Sequence, residues 1–215
     1  MSKTISEIYK EYKIMPNLQL HMLSVAAVAY MICDSIDVLL KKEDIITACL
    51  LHDMGNIIKS HLEYFPQFNE PEGMEYWQTV KDDYVKKYGT NEHHASLEIV
   101  NELGLSKEVE KLVDVVDFHH TYTIFEKTFE EQICLYVDSR VAPLGIMSTK
   151  ERLAEGKNRY KDRPNAFSNE QWAVAEKNFT EIEKQIFSKC KIKPEDINDD
   201  SVAPIIQKLR DFVIK

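Results

Sequence analysis

The chain has 215 residues, 44% hydrophobic and 29% charged, which is enough apolar material for one sizeable core and excludes a disordered or low-complexity class. Its net charge of −9 excludes the concentrated basic surface through which a protein grips a nucleic acid duplex by its phosphates. The polar, interrupted opening segment argues against a secretory signal, and no apolar run is expected to reach the length of a membrane span, so a single-domain cytoplasmic protein is the expectation.

Hydrophobic spacing is helical nearly throughout. Leu20, Leu23, Ala27, Tyr30 and Met31 predict one apolar helix face, and Ile45, Ile46, Cys49 and Leu50 a second. Phe65 to Gly73 is the least regular stretch, broken by Pro66, Asn69, Pro71 and Gly73, and its aromatic residues could wall a pocket. Gly104-Leu105-Ser106 ends one helix and starts the next. Capping boxes at Thr128/Glu131, Ser148/Glu151 and Ser168/Gln171 each mark a helix start, with Pro143-Leu144-Gly145 a break between the first two. Pro194 and Pro204 fit the first turns of two short helices near the end. The reading is an all-α bundle of about eight to ten helices. The motif-bearing core spans about 18–160, and a helical extension over about 168–215 acts as a buttress.

Cys33, Cys49, Cys134 and Cys190 show no paired short spacing and read as reduced core thiols. Any metal here would therefore be held by histidine and carboxylate, a donor set that suits iron, manganese, cobalt, magnesium or zinc.

His52-Asp53 closes an apolar helix and is followed by Gly55, a plausible loosening point of the backbone. Neighbours on an α-helix point about 100° apart, so both side chains reach one ion only where the helix ends or the backbone is firmly held. His21 lies inside the strongly apolar run from Leu18 to Val28, where an imidazole needs a partner. Asp138 ends a similar run from Ile133 to Val137, where a carboxylate is costly without a cation or several donors. Two tandem pairs, His93-His94 and His119-His120, could serve the same buried site, whereas His61, in a polar stretch, reads as a surface residue.

The order His21, His52-Asp53, Asp138, each set in an apolar helix, resembles the HD superfamily of metal-dependent phosphohydrolases. That family carries an H…HD…D signature on an all-α bundle, and the resemblance covers roughly Leu18 to Arg159. It implies that His21, His52, Asp53 and Asp138 hold a divalent metal. Members with two further histidines resemble binuclear enzymes, which points to one of His93/His94 and one of His119/His120 as extra ligands. His93 is favoured because small residues, Ala95-Ser96, follow it; for the second pair His119 is preferred with His120 close behind. Many members carry a lysine three residues after the HD aspartate, where this chain has Asn56, and Lys59 about one turn on is the substitute. Arg140, soon after the final aspartate, is a candidate phosphate clamp or a structural ion-pair partner. The activity implied is hydrolysis of a nucleotide or other small phosphorylated metabolite by a metal-activated water, with one or two ions and with Asp53, Lys59 and Arg140 at the reacting group. A di-iron oxygenase on the same ligands and a non-catalytic nucleotide-binding module are the alternatives. The oligomeric state is left open.

Overall fold

The computed structural model describes residues 2–162 and 166–215. Ten α-helices lie among them: α1 Ile5–Glu11, α2 Pro16–Ser35, α3 Lys42–Leu51, α4 Met74–Tyr88, α5 Glu92–Glu102, α6 Lys107–Asp114, α7 Phe129–Asp138, α8 Thr149–Tyr160, α9 Asn169–Phe187 and α10 Asp199–Leu209. Strands are confined to two-residue pieces. β1 (Lys3–Thr4) pairs antiparallel with β4 (Val213–Ile214), and β2 (Val141–Ala142) with β3 (Gly145–Ile146) around the Pro143-Leu144 turn. The fold class is all-α, as expected.

α2 is the centre of the bundle, packed by α3, α7 and α10. Its buried surface is wider than the single face read from periodicity. Met22, Leu23, Val25 through Ala29 and Ile32 are all fully buried, while Leu20 (50% exposed) and Tyr30 (36%) point outward. Ala26, Ala27 and Ala29 let neighbouring helices approach on several sides, so no narrow apolar stripe exists. At 20 residues and a mean hydropathy of 1.3, α2 is long and apolar enough to cross a membrane, contrary to the expectation that no run would be. Its packing is that of a core helix, with 61% of the most apolar window buried by the rest of the chain.

The three capping boxes form as expected, and each sets the start of α7, α8 or α9. Gly104 adopts φ +70 between α5 and α6, where Ser106 caps the next helix. Pro194 opens a 3-10 helix, Pro194–Asp196. Pro204 does not sit in a first turn; it is the sixth residue of α10. Asp200, whose carbonyl loses its helical partner there, is an exposed residue at the start of the helix, where water is at hand. α10 packs along α2, and β4 brings the end of the chain back onto its beginning. All four cysteines are free thiols.

Candidate metal centre

α3 ends at Leu51, and the four residues that follow form a tight turn leading into a 3-10 helix, Asn56–Lys59. Three of the last-turn carbonyls that this ending frees are claimed. The Tyr9 hydroxyl donates to Leu50 O at 2.7 Å, His52 Nδ1–H donates to Cys49 O at 2.9 Å, and Met54 N–H reaches Leu51 O at 3.2 Å. This anchoring lets two adjacent side chains, His52 and Asp53, turn into one space. Gly55 is not a loosening point. Its backbone is helical (φ −87, ψ −2), its N–H donates to Ser96 Oγ at 2.9 Å, and a Cβ there would lie 2.2 Å from Glu92 O and 2.7 Å from Ala95 Cβ. The glycine is needed because α5 packs directly against the turn.

His21 from α2 and Asp138, the last residue of α7, meet this turn. His21 Nε2 lies 3.1 Å from Asp138 Oδ1 and 3.5 Å from Asp53 Oδ2. His52 Nε2 lies 3.4 Å from Asp138 Oδ1 and 3.7 Å from Asp53 Oδ2. One ligand atom from each of His21, His52 and Asp53 falls within 4.8 Å of the others. Two imidazole nitrogens and two carboxylates thus face a common point from α2 and from the ends of α3 and α7.

The donor chemistry fits a cation there. A carbonyl can only accept, so the bond to Cys49 O fixes the proton on His52 Nδ1 and leaves Nε2 with a lone pair aimed at the carboxylates. Nε2 is buried and has no hydrogen-bond partner. Burial pulls the His52 imidazolium down, but Asp53 and Asp138 outweigh it and push it up to about 9. Burial would raise the Asp138 carboxyl, but the hydrogen bond from His21 and the positive charge of the nearby His52 and His21 rings hold it well below the usual carboxylate range. In the protein alone a proton meets this demand, and a divalent ion is the other cation that can. Asn56 Nδ2 donates to Asp53 Oδ2 and so orients that carboxylate.

These residues lie on the wall of a cavity of about 1030 Å³. His93 and His119 line it, whereas His94 and His120 do not. His93 Nε2 sits 3.3 Å from Asp114 Oδ1, and the His94 side chain is 59% exposed beside Glu98. Neither His93 nor His119 joins the close cluster of His21, His52 and Asp53. His61 is exposed, as expected, but it borders the same cavity. Lys59 also lines it and pairs with Glu92 Oε1 at 3.2 Å; burial works against its charge, but Asp53 and Glu92 prevail and raise its pKa. Tyr64, Phe65 and Phe68 from the irregular stretch form part of the wall.

Arg140 does not reach the cavity. It is 3% exposed, and its guanidinium is spent on Met147 O (2.6 Å), Tyr136 Oη (2.9 Å), Pro194 O (3.1 Å) and Ile197 O (3.2 Å). It lies in the turn that follows α7 and staples the end of that helix to the C-terminal segment through the Pro194 and Ile197 carbonyls. Sequence reasoning passed over two arginines that do line the cavity, Arg152 and Arg159, and the extension it took as a plain buttress supplies Trp172 and Phe179 to the wall. The spacing Arg152, Gly156, Arg159 on one helix, with a glycine in mid-helix, was the available signal.

The model of the HD domain matches residues 19–137, more than half of the chain. The protein belongs to the HD domain family. Its match takes in His21, His52, Asp53, His93 and His119 and stops one residue before Asp138. HD domains bind divalent metals and belong to a superfamily of metal-dependent hydrolases, and the cluster at His21, His52 and Asp53 is a possible metal site of that kind. No curated protein and no solved structure matches the chain.

Proposed function

We propose that this HD protein is a metal-dependent phosphohydrolase acting on a nucleotide or another small phosphorylated metabolite. The observation that carries the reading is the buried, partnerless His52 Nε2, held by its Cys49 bond to face Asp53 and Asp138 on the wall of a cavity large enough for such a substrate. His21, His52, Asp53 and Asp138 would hold the ion, and Asn56 would fix the orientation of Asp53. A bound divalent ion supplies an activated water nucleophile and a counter-charge for the phosphoryl oxygens. Lys59, kept cationic by Asp53 and Glu92 on the same cavity wall, would hold a phosphoryl oxygen. His93 and His119 are the wall groups able to donate a proton to a departing oxygen, or to hold a second ion. The same reading puts the protein to work on a small molecule in the cytoplasm, in keeping with its charge of −9.

The test joins metal analysis of the purified protein to a phosphate-release screen under added manganese, cobalt and iron. Asp53→Ala is expected to lose the metal and all metal-dependent phosphate release, a larger effect than the roughly 10–100-fold that loss of an outer-shell partner costs, while circular dichroism stays helical. Metal-loaded protein that releases no phosphate from nucleotides, dinucleoside polyphosphates or simple monoesters would sink the proposal. Oxygen uptake by the iron-loaded form would replace it with the oxygenase reading.

A further inference from the structure

With Arg140 committed to the fold, the guanidiniums that line the cavity among the described residues come from α8. Arg152, Gly156 and Arg159 stand at i, i+4 and i+7, and all three line the cavity, so they form one helix face turned to it. Glu155, which is not part of the lining, ties the pair together. Arg152 Nη1 donates to its Oε2 at 3.0 Å, while Arg159 donates from Nε to Oε1 at 2.7 Å and from Nη2 to Oε2 at 3.2 Å. Arg152 Nε also donates to Val141 O at 2.8 Å, and the Arg159 guanidinium lies over the Tyr160 ring, 4.5 Å from its centroid. Each arginine side chain is only 18% exposed.

Two guanidiniums against one carboxylate leave this trio with one net positive charge, in a cavity whose lining elsewhere carries carboxylates such as Asp53, Glu92, Asp117 and Asp138. A guanidinium has five N–H donors, and each of these spends two of them on the bonds just given. Beyond those bonds, further N–H donors of each guanidinium are available to a ligand or water at the cavity wall. Gly156 points the same way. Glycine inside a helix costs about 1 kcal/mol relative to alanine, yet a Cβ here would lie 3.2 Å from Arg152 Nη1 and 3.4 Å from the far edge of the Trp172 ring. The missing side chain keeps room for the guanidinium and for whatever it binds.

We propose that Arg152, Gly156 and Arg159 form an anion subsite separate from the metal centre, so that the substrate is an organic phosphate carrying a second phosphate or a carboxylate away from the group that is cleaved. The identity of the molecule as a substrate rests on the phosphohydrolase reading; the anion subsite itself does not. A planar fork of N–H donors suits the paired oxygens of either oxyanion.

The full chain, stripped of metal, is titrated with inorganic pyrophosphate and followed by isothermal titration calorimetry. Wild type and Asp53→Ala are expected to bind it alike, and Arg152→Gln/Arg159→Gln at least tenfold more weakly. Gly156→Ala, which keeps both arginines and favours the helix, is expected to weaken binding severalfold without lowering the melting temperature, and it stands in if the double variant does not fold. In turnover with the metal restored, the double variant should raise KM for a nucleoside bisphosphate at least tenfold more than KM for the matching monophosphate. A phosphorylated hydroxy acid set against its uncharged analogue decides between phosphate and carboxylate as the second group. Absence of pyrophosphate binding by the wild type overturns the subsite, as does unchanged binding in the folded double variant or an equal rise in the two KM values. Failure of the hydrolase reading shows differently, as no phosphate release alongside arginine-dependent pyrophosphate binding.

Discussion

The part of the cavity wall that carries the candidate metal cluster and the rest of the lining, its rim, are built by different means. The metal-binding wall is assembled from α2, the end of α3 and the end of α7, so His21, His52, Asp53 and Asp138 are placed by helices locked in the main core. Lys59 comes from a short 3-10 helix, His119 from another (Phe118–Glu126), and Arg152 and Arg159 from α8, whose contacts are with α9 and β2. The difference teaches that position is secured by burial at the metal and by networks of side-chain bonds at the rim, of which the Glu155 trio is the clearest. Perturbing the first should cost stability or metal, and perturbing the second should cost affinity.

Arg140 is where this division is most easily broken, since it follows Asp138 by two residues yet belongs to the core. Arg140→Ala would leave the buried Ile197 carbonyl and the part-buried carbonyls of Met147 and Pro194 without their donor. The expected loss is about 2–3 kcal/mol, at the usual cost of about 1–3 kcal/mol for an unsatisfied buried group and less for the two that water can partly reach, read by urea denaturation. Full stability with weakened substrate binding would instead return Arg140 to the rim.

The metal-binding wall should also respond to pH in a way that the rim does not. In metal-stripped protein the His52 pKa stands at about 9, above its unfolded value of about 6.5. A group raised on folding contributes its full stability below the unfolded value and loses it as pH rises through the folded one. Metal-free protein should therefore become less stable between about pH 6.5 and 9. Over the same window metal affinity should rise, because the ion no longer has to displace a proton from His52. Melting temperatures with and without chelator across this range separate the two slopes, and parallel slopes would mean that no ion binds at His52.

Gly55→Ala tests the contact between the turn after His52-Asp53 and α5. The new Cβ would fall 2.2 Å from a backbone carbonyl, which cannot swing aside as a side chain can, so α5 must shift. A cost of about 1–3 kcal/mol is expected from overpacking, with His93 displaced as part of the same movement. A melting temperature equal to wild type would show that the packing is looser than the geometry indicates.

The metal-binding wall was legible in the sequence because polar groups inside apolar helices are costly and therefore carry information. His21 and Asp138 stood out for that reason, and the histidine-aspartate order suggested one family before any coordinates. The rim was not legible, because Arg152 and Arg159 sit in a helix full of other charges, Lys150, Glu151, Glu155 and Lys157 among them, and no local rule says which side faces inward. Arg140 stood open between a phosphate clamp, which the resemblance implied, and a structural partner, and its bonds to the Met147, Pro194 and Ile197 carbonyls make it structural; those partners lie up to 57 residues away, where no local pattern points. Gly55 was read for its freedom, when its use lies in having no Cβ.

The tandem histidines give the smallest expected effects and the finest test of the boundary between the two regions. His94 leaves the site altogether: its side chain is 59% exposed, and its nearest acid is Glu98, 3.9 Å away on the next turn. His94→Ala should change stability by no more than about 0.5 kcal/mol and leave metal content as it was. His93 lines the cavity and faces Asp114, which is itself 56% exposed, so its ion pair is worth little by itself. His93→Ala should accordingly alter stability little as well, and the two variants part only in function. If His93 serves a second ion, its loss lowers the metal-to-protein ratio without emptying the site at His21, His52 and Asp53. If it acts only as a wall group, the ratio holds and turnover alone falls. Equal behaviour of the His93 and His94 variants in both measurements would move His93 out of the site and leave the centre with four ligands.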